Sequence, residues 1–168
     1  LDQDPASVPA EVQRQAVLEL TALAGVIDAE LARWLSVFDA NTVWAGDGAR
    51  SAGGWIAAHS ELSRGHAAGR VRTARILRSC PAVTAAYSQG ELGTEKVRAL
   101  LEARDVYPDL FAEHEGGIVA EIVPLTVAHA RVVIARWADQ LPRKLNMRLM
   151  LTNARVSRPP LVARACCA

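Results

Sequence analysis

The densest chemistry in the sequence lies between Ser51 and Arg78. From Ala57 to Arg70 it reads Ala-Ala-His-Ser-Glu-Leu-Ser-Arg-Gly-His-Ala-Ala-Gly-Arg. A small residue stands four places before a polar turn, Leu62 closes the turn, and Ser63 is placed to cap the helix that follows. That is the spacing of a helix-turn-helix pair. The second helix carries Arg64, His66, Arg70, Arg72, Arg75 and Arg78 and no acid, which makes its field locally positive, as contact with a phosphate backbone requires. Arg64, His66, Arg70, Arg72 and Arg75 are therefore the expected DNA-binding residues, with Arg64 and His66 nearest the helix start and best placed to read bases. Two features keep a structural alternative open. Glu61 stands where such turns often hold glycine, and helical-wheel angles scatter the arginines around the helix, so that some must pair with acids of other helices.

The remaining reactive residues form no constellation. His114-Glu115 begins like a zinc-protease helix, but that chemistry needs a second histidine four positions after the first, and Ile118 stands there. His59, His66 and His129 lack the paired spacing of metal ligands. Gly46-Asp-Gly48 follows no strand and opens no phosphate-binding turn. No catalytic residue, metal or cofactor is expected, and the chain is not expected to be an enzyme.

These residues sit in an uneven charge distribution. The formal net charge of the 168 residues is +1, yet residues 1–140 hold 13 Lys+Arg against 18 Asp+Glu, whereas residues 141–168 hold six basic residues and no acid. An acidic helical domain over residues 10–141 with a basic, poorly ordered tail over 142–168 is the expected division; such a tail either touches an anionic surface or is simply solvated. Cys80, Cys166 and Cys167 form no even, sensibly spaced set, which points to a reducing cytoplasm. No stretch approaches the roughly 20 apolar residues that cross a bilayer, so no membrane partner is expected.

The elements that must hold these residues are helices. With 51% hydrophobic residues, only 5% aromatic, and a dominance of alanine, leucine, arginine and valine, the chain favours an all-α, multi-helix bundle of about seven helices. The surest is a long N-terminal helix, where Ala16, Leu20, Leu23, Ile27, Leu31, Trp34 and Phe38 form one stripe at spacings of three and four. About 45 Å long, it exceeds what a small core needs. It either seats a partner helix, giving a homo-oligomer, or packs within its own chain, which is the default. Ser51 and Ser63 are expected N-caps, Pro81 a first-turn residue, Thr94 the cap of a helix running to Ala103, and Gly116-Gly117 a break or bend. A last helix is expected over Thr126–Gln140, and the four tryptophans are expected to anchor the core.

A longer match then emerges. Gly48-Ala-Arg-Ser51-Ala-Gly-Gly-Trp55-Ile-Ala, then Leu62-Ser63, Ala67, Arg70-Val71-Arg72, Ala74-Arg75, Leu77, Pro81 and Gly90-Glu91-Leu92 through Val97 resemble the N-terminal helical domain of the actinobacterial 13E12 repeat proteins, domain of unknown function 222. The resemblance spans roughly residues 15–140. It implies a helical module usually followed by an HNH endonuclease domain, of which no motif is present after residue 140. The expected function is thus a DNA-binding module of an HNH-associated family without its nuclease. The alternative is an oligomerisation or protein-interaction scaffold with no nucleic-acid role.

Overall fold

The computed structural model describes residues 4–140, and the expectations for the basic tail lie outside these residues. Among the described residues there are seven α-helices and no strand. Helix α1 (Ala10–Ala40) follows Pro9 and ends at Asn41. A 3-10 turn, Val43–Asp47, leads through Gly48, whose φ of 73° suits a residue without a side chain, to α2 (Ala52–His59). Ser51 caps α2 by accepting from Gly54 N at 3.0 Å, and Ser63 caps α3 (Arg64–Leu77) by accepting from His66 N at 3.3 Å. Helices α4 (Pro81–Ser88), α5 (Thr94–Val106), α6 (Pro108–Ile122) and α7 (residues 127–140) complete the bundle.

The core sits between α3, α4, α5, α6 and α7, where Phe111, Leu92, Leu100, Ile122, Val83 and Val97 are fully buried. Phe111 meets Trp137 edge-on, with ring centroids 5.9 Å apart. Two buried charges tie the helices at their ends. Glu115 of α6 accepts from Val83 N at 2.8 Å, satisfying a free amide in the first turn of α4. Lys96 of α5 donates to the carbonyls of Ile122 and Val123 at 3.1 and 2.8 Å, at the negative end of α6. Helices α2 and α3 approach closely because Gly53 has no side chain. A Cβ there would lie 3.1 Å from Ala68 Cα.

Two local expectations need correction. Thr94 does not cap α5. Gly93 occupies that position, the helix runs on to Val106, and the Thr94 hydroxyl instead donates to Asp28 on α1 at 3.1 Å and lies 3.0 Å from the Tyr87 hydroxyl. Nor does α6 break at Gly116-Gly117. Each glycine costs about 1 kcal/mol against alanine. The burial of Ile118, Val119 and Ile122, roughly 2 kcal/mol apiece, outweighs that and holds the helix continuous.

Candidate functional site

Helices α2 and α3 form the expected pair about the linker Ser60–Ser63, with Ala67, Val71, Ala74 and Leu77 as the buried face of α3. The outer arginines of α3 bind the chain's own acids. Arg70 donates to Asp28 at 3.0 Å, and Arg72 pairs with Asp105 of α5. Arg75 grips Asp39 with two bonds of 2.7 and 2.6 Å, and Arg78 reaches Asp39 at 3.4 Å and the Ser36 carbonyl at 3.3 Å. The geometry is the planar two-point match of guanidinium to carboxylate. Asp39 is buried, and the hydrogen bond from Arg75 holds its carboxyl below the usual aspartate range against the opposing effect of burial.

Arg64 and His66 differ from the others. Both are exposed at the first turn of α3, and their side chains have no hydrogen-bond or ion-pair partner among the described residues. His66 lines the mouth of an open cleft of about 710 Å³ between α1, α3 and α5, with Leu31, Ser63, Arg70, Arg72 and Arg98 around it. Asp28 joins these helices at the cleft wall by accepting from Arg70 and Thr94, and the Tyr87 hydroxyl beyond Thr94 is pushed above its ordinary pKa by burial.

The second surface lies on α1. Every residue from 10 to 24 is exposed, so this half of the helix projects from the bundle by about 22 Å. The helix packs on the bundle through Ala29, Ala32, Leu35 and Asp39. Leu31, Trp34 and Phe38 each stand one position before a member of this packed row, rotated by about 100° from it, and Ile27 stands two positions before Ala29, on the far side of the helix. The expected packing of the apolar stripe inside its own chain is therefore not what occurs. Leu20, Leu23, Ile27 and Trp34 are 59%, 52%, 59% and 62% exposed. Phe38 alone of the stripe is covered by an aromatic ring, that of Trp55, at 5.0 Å. The sequence reading missed that the contact is made by a row that opens with small residues, Ala29 and Ala32, followed by Leu35 and Asp39, and not by the bulky stripe. The row Gly25, Ala29, Ala32 was the available signal.

Trp34 accordingly does not anchor the core. Its indole N–H donates to Glu30 at 2.8 Å and the Arg33 guanidinium lies over its ring at 5.3 Å. Cys80 is a buried free thiol whose pKa is raised by desolvation. No group of three His, Cys, Asp or Glu side chains converges among the described residues. His114 packs against the edge of Trp137 and Glu115 caps α4, so both members of that pair have structural contacts. No described helix is long and apolar enough to cross a membrane.

Comparison with curated proteins and with solved structures returns no match. A family model does match, over residues 10–152, which takes in all seven helices and continues past Pro142. The chain that carries the projecting α1 and the acid-paired arginines of α3 belongs to the family described as Domain of unknown function (DUF222).

Proposed function

We propose that this chain is a helical assembly module, whose projecting first helix joins it to another protein chain. The observation that carries the reading is the bare apolar stripe of α1. Bulky apolar side chains more than half exposed in a row, on a helix whose residues are all exposed from 10 to 24, form a surface of the kind that marks an interface. A helix segment this short has marginal stability alone in water. The resemblance to actinobacterial 13E12 repeat proteins gives such pairing a use, since an HNH nuclease linked to each copy would meet one of the two strands of a duplex. The module itself is assigned no catalysis, metal or cofactor, and the buried Cys80 thiol fits a reducing cytoplasm.

A second reading, DNA contact, is supported by Arg64 and His66, the two expected binding residues that no acid among the described residues occupies. With Arg70, Arg72 and Arg75 paired internally, such contact would be weak and strongly salt-dependent. One hydrogen-exchange experiment tests both. Raising the protein concentration should slow exchange of the amides at 10–27, while adding a short duplex should slow those around Ser63–His66 only if the second reading holds. Exchange at 10–27 that is independent of concentration and of added partner would remove the first.

A further inference from the structure

We infer that α1 pairs with α1 of a second copy, antiparallel, about a two-fold axis passing between Thr21 and Ala22; this rests on the assembly reading and specifies its partner. The stripe along the exposed part of the helix is Val12, Ala16, Leu20, Leu23, Ile27 and Leu31. Its spacings are four, four, three, four and four, the same read from either end. A two-fold axis at the midpoint therefore sets every stripe residue against another: Val12 opposite Leu31, Ala16 opposite Ile27, Leu20 opposite Leu23. Away from the axis the pairs set a smaller residue against a larger one, Ala16 against Ile27 and Val12 against Leu31, and the leucines gather at the centre, so no level of the contact is left with two small residues facing each other. The positions recur every 11 residues, from Val12 to Leu23 to Trp34 and from Ala16 to Ile27 to Phe38, a period that gives a pair of helices a gentle right-handed supercoil.

The direction of pairing follows from what covers the far end of the stripe. At Phe38 the ring of Trp55 lies on it. An antiparallel partner helix, which begins at Ala10, starts opposite Arg33 and so stops short of that cover. A parallel partner would bring its own Phe38 and Trp55 to the same level, two covered ends in the space of one helix contact, and would set Ala16 against Ala16. The contact is about 28 Å long and buries on the order of 1,000 Å² in total, the size at which specific but reversible association begins.

Disulfide trapping tests the register. In a chain carrying Cys166→Ser and Cys167→Ser, with buried Cys80 left in place, single variants Ala16→Cys and Ile27→Cys are oxidised alone and as an equimolar mixture. The antiparallel register predicts a covalent 16-to-27 dimer in the mixture and none from either variant alone, because two copies of residue 16 then lie about 16 Å apart along the axis, beyond disulfide reach. A second mixture, Val12→Cys with Leu31→Cys, should cross-link in the same way. Dimers formed by Ala16→Cys with itself would overturn the inference while leaving the assembly reading intact. So would an uncross-linked mixture that still sediments as a dimer. Chains that remain monomeric at every concentration would overturn both.

Discussion

Replacing Asp39 by alanine should lower the stability of the chain by about 2 kcal/mol at neutral pH. Its carboxylate is 6% exposed and accepts from both Arg75 and Arg78, so one residue links α1 to α3 at two points. Removing one partner of a buried pair costs roughly 3–5 kcal/mol when the orphaned charge stays buried. Arg75 and Arg78 are 52% and 41% exposed and regain water, which brings the figure down. The effect has a pH signature with a definite sign. The folded-state pKa of Asp39 is depressed by its hydrogen bond to Arg75, so the stability it contributes is complete above the unfolded aspartate value near 3.9 and is lost as pH falls through the folded value. Urea denaturation at pH 7 and at pH 3 should show the gap between the native chain and Asp39→Ala narrowing in acid. An equal gap at both pH values would mean that the residue acts by volume rather than charge, as would Asp39→Asn matching the native chain at pH 7.

The second large effect belongs to the interface. Leu20→Glu with Leu23→Glu should weaken self-association by at least 100-fold. The change removes four leucines from the centre of the pair and sets four carboxylates there, against a transfer cost of about 2 kcal/mol for each leucine alone. The same double variant should melt within about 0.5 kcal/mol of the native chain when both are measured as monomers at low concentration, since both positions are more than half exposed. A variant that associates as strongly as the native chain would place the contact elsewhere on the molecule.

The helical architecture and most of its boundaries were legible in the sequence, because Ser51 and Ser63 accept from amides three residues on and Pro81 fixes its own φ at the first turn of α4. Long-range pairings were not legible. Thr94 reads as a cap because serine and threonine ordinarily bind their local amides, yet its partner Asp28 is 66 residues away. The same distance in sequence hid the fate of the α3 arginines: their scatter around the helix implied pairing with other elements, but Asp28, Asp39 and Asp105 lie 33 to 42 residues from them. On α1 the stripe itself was plain, and the inference that it faces the bundle failed. Hydrophobic periodicity ranks faces by apolar bulk, whereas the packed face is chosen by how closely a neighbour can approach. Ala29 and Ala32, with Leu35 and Asp39, outcompete Leu20, Leu23 and Ile27 for that reason. An exposed stripe and an exposed Trp34 are what remain, and they carry the functional argument.

Self-association through α1 is tested most directly by sedimentation equilibrium of the unaltered chain, under reducing conditions so that Cys166 and Cys167 form no covalent link. The account predicts a reversible, concentration-dependent rise in mass from 18.0 kDa towards twice that value over the range from about 1 to 100 µM, the span expected for a contact on the order of 1,000 Å². A mass fixed at 18.0 kDa across that range would contradict it.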